Sequence, residues 1–365
     1  MTDISKKARE LHDDAIVVVG HTDLVASNVD WRRESGERNV LDRFHLPTLR
    51  AGGATVVCDH IAGDGPYGYL PATRLTTDFL QRAMRALDHT HAELEESTDF
   101  ILTTSVEDIH RAKREGKIAY VICFEGASPL QNEISYLRNF YRLGLRCLGL
   151  THDLRNEVAD GIRERSGGGL TYFGVNVVKE CNRLGILVDV SHLSDKGTED
   201  VLDLSSDPIT ASHSNARALC DVPRNLPDHL IRRIGQSGGV IGFHALHYLV
   251  TKKEKSTLDD VLRQIAHIAE VGGPECIGIG PDLMEDWWSP IVENTWEKST
   301  TINAIPYIKI NFQYPKGMES NAELPNVTEG LLKMGFSETE VRNFLGGNFM
   351  RLFERVWKPA SGASA

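Results

Sequence analysis

The sequence lacks the long apolar segments that place a protein in or on a membrane. No run in its 365 residues approaches the ~18 apolar residues of a membrane-spanning helix. The N-terminal residues have no apolar signal-peptide core, and the C-terminal residues lack the hydrophobic tail of a lipid-anchor signal. We therefore expect a soluble, cytoplasmic protein that does not associate with a membrane.

The sequence also has no excess of positive charge and no paired cysteines. Its 51 acidic residues outnumber 40 basic ones, and the net charge of −11 argues against a nucleic-acid partner. The six cysteines form no C-x-x-C pair, and four of them lie within apolar runs: Cys58, Cys123, Cys147 and Cys276. We interpret the cysteines as small, buried hydrophobic side chains.

What the sequence does contain is a series of short apolar runs separated by helix-like stretches. Buried parallel strands read as continuous apolar runs and need helical crossovers. Eight such units predict an α/β fold of the (β/α)8 barrel type, with a doubly wound open sheet as the alternative. The eight runs are Ile16–Gly20, Ala54–Cys58, Ala119–Phe124, Arg146–Thr151, Leu187–Ser191, Pro208–Ser212, Val240–Phe243 and Cys276–Gly280.

We expect residues 1–365 to form one barrel domain, since α/β barrels often reach this length without a second domain. The aromatic, polar stretch at about 283–319 has no clear periodicity, which predicts a long loop or lid beside the barrel mouth. Helical patterns resume at about 328–356, where Ser337 and Glu340 fit a capping box.

Four of the apolar runs end in side chains that bind divalent metal ions. His21 and Asp23 close the first run, Glu125 the third, His192 the fifth and His213 the sixth. Barrel active sites form at the carboxyl ends of the strands, so we expect these residues to meet there. Side chains alternate along a strand, so each ligand should share a face with upstream apolar residues. Those residues are Val17 and Val19, Val121 and Cys123, Val188 and Val190, and Ile209 and Ala211.

Imidazole and carboxylate groups of this kind suit Zn²⁺ and similar ions. Glu125 could bridge one ion held by His21 and Asp23 and a second held by His192 and His213. Two ions a few ångströms apart can share a hydroxide and polarise a carbonyl. The pattern therefore predicts a binuclear hydrolytic centre.

Three further residues have catalytic or substrate-binding interpretations. Asp282 follows the eighth run and could move a proton from the bridging water to the leaving amine, although it could also be a helix N-cap. His152 closes the fourth run and could donate to a developing oxyanion, or be a loop histidine. Arg224 could clamp a substrate carboxylate with its planar fork, or lie at the surface.

Three stretches of the chain resemble the renal (membrane) dipeptidases, a family of zinc dipeptidases, and the similarity covers nearly the whole chain. The first is Gly169-Leu-Thr-Tyr-Phe-Gly174 running on through Asn182-Arg-Leu-Gly-Ile-Leu-Val-Asp-Val-Ser-His-Leu-Ser194. The second is Ser212-His-Ser-Asn-Ala-Arg-Ala-Leu219 with Pro223-Arg-Asn-Leu226, and the third is Gly346-Gly-Asn-Phe-Met-Arg351.

The resemblance implies an amidohydrolase-type barrel with two Zn²⁺ ions per chain, held by the five ligands named above. On the matching positions it implies that His152 and Arg224 bind the substrate and that Asp282 is the proton shuttle. The implied reaction is hydrolysis of a dipeptide to two amino acids, often with a D-residue tolerated at the C-terminal side.

The chain departs from the family pattern at positions that cluster where substrate specificity is set. Thr22 stands where the family usually has Asn, and Cys58-Asp59-His60 stands where it has an aromatic-rich segment. Gly242-Phe243-His244 replaces the family's Asn-Phe-Tyr. The family's Asp-Phe-Asp-Gly corresponds to the start of Asp282-Leu-Met-Glu-Asp-Trp287. The missing tyrosine helps to hold the substrate carboxylate in the family. We therefore expect His244 to replace it as a second donor.

The sequence predicts a binuclear zinc dipeptidase whose partner is a small dipeptide-like substrate. The alternative is a metal-dependent amidohydrolase acting on another amide, such as an N-acyl amino acid or a cyclic amide, which His244 and the tryptophan-rich loop favour. A catalytically silent barrel is disfavoured because all five ligands and Asp282 are present. The sequence leaves open the native metal, since manganese or cobalt could use the same ligands, and whether the chain forms a homo-oligomer.

Overall fold

The chain folds into a closed barrel of eight parallel strands, which confirms the predicted (β/α)8 architecture. The structure is a computed structural model that describes residues 4–64, 78–285 and 313–358. The sheet order is β2-β1-β9-β8-β7-β6-β5-β4, and β2 closes the ring by pairing with β4. All eight predicted runs overlap barrel strands. The barrel strands are β1 (Val18–Thr22), β2 (Val56–Gly63), β4 (Ile118–Glu125), β5 (Leu145–Gly149), β6 (Leu187–Asp189), β7 (Thr210–Ala211), β8 (Val240–Phe243) and β9 (Ile277–Ile279).

A ninth strand, β3 (Phe100–Leu102), was not predicted and does not contribute to the ring. It pairs in parallel with Ile118–Tyr120 at the start of β4. Strand β5 pairs with β4 only from Ile122 onward, while β2 pairs with β4 from Ala119 to Glu125. Strand β3 therefore occupies the early part of the β4 edge that β5 uses later. With three residues, two of them half-buried, β3 gives no apolar run in the sequence.

Helices connect the strands, and several begin and end where the sequence provides capping groups. Ser337 and Glu340 form the predicted capping box, and Ser105 and Asp108 form another. Gly185 ends a long helix in the left-handed conformation, with φ of 80°. The α-helices are α1 (Lys6–Asp14), α2 (Asp30–Glu34), α3 (Leu46–Ala51), α4 (Phe79–Glu96), α5 (Val106–Glu115), α6 (Ile134–Arg142), α7 (Tyr172–Leu184), α8 (Asp195–Leu204), α9 (Asp228–Ser237), α10 (His247–Val250), α11 (Leu258–Gly272), α12 (Leu324–Lys333), α13 (Glu338–Arg342) and α14 (Asn348–Val356).

The last helix, α14, lies across the amino-terminal end of the barrel and closes its interior. The Asn348 side chain donates to the carbonyl oxygens of Pro274 (2.9 Å) and Ile277 (2.8 Å), next to the start of β9. The Phe349 ring fills the space beside Gly20, where an added Cβ would come within 2.4 Å of the ring. One end of the barrel is therefore sealed by apolar packing.

The strand faces differ in part from the prediction. Val121 and Cys123 belong to the inner cluster that includes Phe349, as expected for the face that leads to Glu125. In β1, β6 and β7 the prediction was wrong, because the upstream residues pack in the outer cluster with the helices. Those residues are Val17, Val19, Val188, Val190, Ile209 and Ala211.

The physical reason is that the alternation is interrupted before each ligand. A bulge lies between Val19 and Thr22 in β1, so the side-chain direction shifts before His21 is reached. His192 lies beyond the end of β6 in the left-handed region, with φ of 64°. Strand β7 ends at Ala211, so the two-residue period does not extend to His213.

Two predictions concern residues on which the structure gives partial or no information. Most of the loop or lid predicted at about 283–319 lies outside the described residues, and the single-domain assignment stays a prediction. None of the helices in the described part of the chain combines the length and the apolar character that a membrane crossing requires.

Candidate metal centre

The five predicted metal ligands meet at the carboxyl-terminal end of the barrel, together with Asp282. Glu125 is the last residue of β4, and its Oε1 lies 2.9 Å from His192 Nε2, 3.2 Å from His213 Nε2 and 3.9 Å from His21 Nε2. All of these side chains are almost completely removed from solvent. Glu125 therefore lies between the histidines of the two predicted ion sites.

The two histidines on one side of Glu125 direct the same ring atom at one point. His192 Nε2 and His213 Nε2 are 2.9 Å apart. Two nitrogens at this separation repel each other unless a proton or a metal ion lies between them, and with both protons on Nδ1 only a metal ion remains. The pair therefore has the chemistry of two ligands of a shared metal ion.

On the other side of Glu125, His21 is surrounded by acidic groups. Its Nε2 lies 3.7 Å from Asp23 Oδ1 and 3.7 Å from Asp282 Oδ1. All three atoms are buried and have no hydrogen-bond partner among the residues that the structure describes. Buried polar atoms are rarely left without a partner, so their convergence fits a cation.

The pKa values of the site residues also favour a bound cation. Burial lowers the pKa of His21, His192 and His213 well below the ordinary value, which keeps the imidazoles neutral. Burial, followed by the charge of Asp282, raises the pKa of Asp23 to about 8. Burial, with the charges of Asp23 and Asp282, also raises the pKa of Glu125. Neutral imidazoles beside carboxylates that repel one another suit a divalent ion, whose charge would let the acids ionise together.

Hydrogen bonds behind the histidines fix which ring nitrogen faces the centre. The Ser212 hydroxyl donates to Asp189 Oδ2 (2.5 Å), which leaves its oxygen free to accept from Nδ1 of His213 (2.8 Å) and Nδ1 of His21 (3.1 Å). With Nδ1 protonated, each Nε2 presents a lone pair to the centre. Such outer hydrogen bonds commonly orient metal-binding histidines.

His192 is oriented in the same way by a different residue. Its Nδ1 donates to Asp153 Oδ1 at 2.8 Å. Asp153 also accepts from Arg163 Nε at 2.7 Å, so the carboxylate is itself fixed. The three histidines therefore have the same tautomer, set by two independent groups.

The two predicted substrate-binding residues lie beside this centre. His152 stacks on His192 with ring centroids 4.2 Å apart, and its Nε2 is 3.9 Å from Glu125 Oε2. Arg224 is buried and donates to Ser214 Oγ (2.9 Å) and to the His213 carbonyl oxygen (2.7 Å). Arg224 Nε is buried without a hydrogen-bond partner in the described ranges, so one donor of the guanidinium is unsatisfied.

His244 has a different environment from the one that the sequence suggested. Its Nδ1 accepts a hydrogen bond from the Leu246 N–H (3.1 Å), so the proton lies on Nε2, which is 3.1 Å from Asp282 Oδ2. Burial is the largest single influence and opposes ionisation of Asp282, but the hydrogen bond from His244 and the surrounding histidines together outweigh it and hold the Asp282 pKa below its usual range. Both ring nitrogens are engaged within the protein, which favours a role in positioning Asp282. Binding of substrate by His244 stays a prediction.

Two residues of the centre have strained backbones. His192 and Asp282 have φ values of 64° and 54°, in the left-handed region that costs an L-residue roughly 1–2 kcal/mol. Strain of this kind persists where surrounding structure enforces it, and it is concentrated at functional sites.

The sequence did not identify the groups that support the ligands: Asp153, Asp189, Ser212 and His60, whose ring stacks on His21 with centroids 4.0 Å apart. A signal was present for Asp189, an acidic residue inside the apolar run Leu187–Ser191. Ser212 precedes His213 just as Ser191 precedes His192, but only the fold shows that one hydroxyl serves two rings.

Comparisons with known proteins match the chain to one family. A family model described as membrane dipeptidase (peptidase family M19) matches residues 5–289. Dipeptidase tcpJ from Claviceps purpurea (strain 20.1) is 32% identical over 253 residues, or 68% of this chain; the match spans 54% of that relative, about half its length.

Two solved structures share the fold. An amidohydrolase from Pseudomonas aeruginosa has a TM-score of 0.79 and 28% identity, covering 96% of this chain and 99% of that one. A metallo peptidase from Rhodobacter sphaeroides, liganded with a phosphinate mimic of the dipeptide L-Ala-D-Ala, has a TM-score of 0.75 and 24% identity. That likeness covers 94% of this chain and all of the other.

Proposed function

The chain belongs to the membrane dipeptidase family of metal-dependent peptide-bond hydrolases, and on that premise we propose that it is a binuclear zinc dipeptidase. The observation that carries the proposal is the convergence of three Nε2 lone pairs on one carboxylate, Glu125, at the open end of the barrel. The family implies a metal, and the surrounding histidines and acids fit one. The number of ions and the identity of the metal are part of the proposal.

In this proposal Glu125 is shared between two ion sites. His21 and Asp23 complete one site, and His192 and His213 complete the other. When bound, the ions would supply a nucleophilic oxygen at neutral pH and polarise the peptide carbonyl. The Ser212 and Asp153 hydrogen bonds keep the three imidazoles in the orientation that this chemistry needs.

Asp282 is the proposed proton shuttle. His244 donates to its Oδ2, while its Oδ1 faces the centre without a partner among the described residues. One oxygen is therefore anchored and the other can take a proton from the attacking water and pass it to the leaving amine. Because Asp282 Oδ1 is as close to His21 Nε2 as Asp23 Oδ1 is, the proposal requires a test that separates proton transfer from metal binding.

Substrate recognition is assigned to His152 and Arg224. The free donor of Arg224 suits the α-carboxylate of a dipeptide, and His152, partly exposed beside Glu125, suits the oxygen of the scissile carbonyl. Acceptance of a D-residue at the C-terminal side is supported by the L-Ala-D-Ala mimic in the related Rhodobacter sphaeroides protein.

A second candidate function is hydrolysis of another amide, such as an N-acyl amino acid or a cyclic amide. The observation that favours it is the position of His244, which is bound to Asp282 and stands where the family has a carboxylate-binding tyrosine. In that case Arg224 would be the main donor to the substrate carboxylate. The predicted cytoplasmic location and the absence of membrane and nucleic-acid partners stay predictions.

The test is a panel of dipeptides, dipeptide C-terminal amides and N-acyl amino acids, assayed with wild type, Arg224→Ala and Arg224→Lys. A dipeptidase should hydrolyse the free-acid dipeptides with the highest kcat/KM, and both variants should lose the preference for acid over amide. Arg217→Ala is the matched control, because Arg217 is held by Asp195 rather than by the centre. Equal kcat/KM for acid and amide in wild type would contradict the carboxylate clamp, and a preference for N-acyl substrates would select the second candidate.

A further inference from the structure

The barrel interior beneath the metal centre contains a cluster of thiols and one imidazole. In the strand register, His60 on β2 lies beside Cys123 on β4, and Cys123 lies beside Cys147 on β5. Three neighbouring strands therefore place these side chains at one level. Cys58, two residues before His60 on β2, adds a third thiol to the same inner cluster, in contact with Cys123.

The donor atoms of this cluster are close enough to share one ion. A ring nitrogen of His60 and the Sγ atoms of Cys123 and Cys147 all lie within 4.8 Å of one another, and all three residues are buried. Tetrahedral metal sites with nitrogen and sulfur ligands have donor separations within this range, given metal–ligand distances of roughly 2.0–2.3 Å.

His60 supplies the independent sign that something is bound here. It is fully buried, and neither ring nitrogen has a hydrogen-bond partner among the residues that the structure describes. Its nearest acidic atom, Asp189 Oδ2, is 3.7 Å from Nε2, which is close enough for an ion pair if the ring is protonated but beyond hydrogen-bonding distance. An unsatisfied buried polar group costs about 1–3 kcal/mol, so an apolar side chain would suit the position better if it only filled space.

Two of the three remaining cysteines, Cys220 and Cys276, show what a purely structural thiol looks like in this protein. Cys276 is buried with its Sγ 3.9 Å from the Ile231 carbonyl oxygen, and Cys220 lies 3.4 Å from the Tyr248 carbonyl oxygen. Neither belongs to a group of metal-binding side chains in the described part of the chain. Cys147, by contrast, belongs to such a group, because its Sγ lies within 4.8 Å of the donor atoms of His60 and Cys123.

We propose that His60, Cys123 and Cys147 form a separate metal site for a thiophilic divalent ion such as Zn²⁺. Binding would replace the two thiol protons, so that two thiolates, one neutral imidazole and one dication give a site without net charge, and two protons are released. Cys58 is positioned to supply a fourth donor. The site differs from the centre at Glu125, whose ligands are only nitrogen and oxygen.

That difference in ligand atoms makes the proposal testable while both sites are loaded. Protein produced in cobalt-supplemented medium should show an intense near-ultraviolet thiolate-to-cobalt charge-transfer band, which nitrogen and oxygen ligands cannot produce. The double variant Cys123→Ser, Cys147→Ser should lose the band and one equivalent of cobalt, while it keeps the cobalt at the Glu125 centre and its hydrolytic activity. Cys276→Ser should keep both the band and the full metal content.

A second measurement needs no variant, in case the double variant does not fold. X-ray absorption at the zinc edge of the purified wild type should reveal sulfur neighbours at about 2.3 Å in addition to nitrogen and oxygen. The proposal is overturned if wild type shows no charge-transfer band and no sulfur shell, or if the band persists in the double variant. It is also overturned if thiol titration shows Cys123 and Cys147 joined in a disulfide. If the wild type shows the sulfur signal but hydrolyses no substrate of the panel, the proposed function is contradicted, whereas the proposed metal site at His60, Cys123 and Cys147 is not.

Discussion

The two ends of the barrel interior are built from the same strands but contain opposite kinds of side chain. At the carboxyl-terminal end, acids and histidines are buried together, several polar atoms lack partners among the described residues, and His192 and Asp282 adopt left-handed backbone conformations. At the amino-terminal end, Phe349 and Phe353 of α14 seal an apolar interior, with ring centroids 5.8 Å apart. We infer that the carboxyl-terminal end contains backbone strain and desolvated charge, both of which destabilise the fold. Apolar packing at the amino-terminal end offsets this cost.

The apolar end depends on close contact between backbone and aromatic rings. Besides Gly20, Gly278 lies against Phe349, where an added Cβ would come within 2.6 Å of the ring. Phe353 stacks on Trp357 with centroids 4.2 Å apart. Substitutions at this end should therefore change the free energy of unfolding, whereas substitutions at the other end should change turnover or metal affinity.

The largest effect is expected at Glu125. Glu125→Gln removes a charge shared by both proposed ions, so kcat/KM should fall by about 10⁴-fold or more, since metal ions supply several kcal/mol of transition-state stabilisation. The metal content should fall with it, as measured by elemental analysis. Glu180→Gln, at an acid that pairs with Arg138 and Arg183, is the control and should keep its activity. Full activity and metal content in Glu125→Gln would disprove the bridging role.

Asp282→Asn should separate proton transfer from metal binding. The amide still accepts the hydrogen bond from His244 but cannot carry the proton, so kcat should fall by roughly 10²–10⁴ while the metal content stays unchanged. Steady-state kinetics and elemental analysis on the same preparation provide the measurement. Loss of one ion would instead identify Asp282 as a ligand, and normal turnover would remove it from the mechanism.

Phe353→Ala should lower the stability of the fold and leave turnover unchanged, which is the reverse of the effect expected at the metal centre. Truncation of this buried ring should lower the free energy of unfolding by about 3–5 kcal/mol, because the seal loses packing area and gains a cavity. Turnover per folded molecule should be unchanged. Denaturant unfolding, monitored by tryptophan fluorescence, measures the free energy of unfolding. Steady-state kinetics at a temperature low enough to keep the variant folded measures its turnover. A large fall in kcat without a loss of stability would show that the two ends are not independent.

The smallest effect is expected at Ser212, which supports the ligands without touching the proposed ions. Ser212→Ala leaves Nδ1 of His21 and His213 without an acceptor, so metal affinity should fall about 10- to 100-fold. Ser191→Ala is the matched control: its hydroxyl accepts from the His213 N–H and lies 3.4 Å from Ser212 Oγ, but it makes no hydrogen bond to an imidazole nitrogen in the described part of the chain. Competition with a chelator gives the affinities. Equal affinities in the two variants would remove the special role of Ser212.

The strands and the convergence of the candidate ligands were predictable because both depend on local pattern. A buried parallel strand must be apolar along its length, so each strand of the ring appears in the sequence, and parallel strands bring their carboxyl ends to one place. The resemblance to the dipeptidases is confirmed by the family model. The assignment of roles to His21, Asp23, Glu125, His192 and His213 rests on their convergence and stays to be tested by experiment.

What could not be predicted depends on register between strands and on single backbone angles. The bulge before Thr22 and the positive φ of His192 reverse side-chain directions, and no hydrophobic pattern encodes either. The contact of Ser212 with Asp189 and the approach of His60 to Cys147 join residues distant in sequence. Strand β3 was not predicted because it pairs along one edge for only three residues, too few to give an apolar run in the sequence.

The position of α14 also constrains how the chain folds during synthesis. Phe349 completes the interior around Gly20, which precedes it in the chain by more than 300 residues, so the inner face of β1 stays uncovered until α14 has been made. At ~5–20 residues per second this interval is on the order of tens of seconds. During that time the exposed strands are open to mispairing and to chaperones, so the ring should close only after α14 has been synthesised.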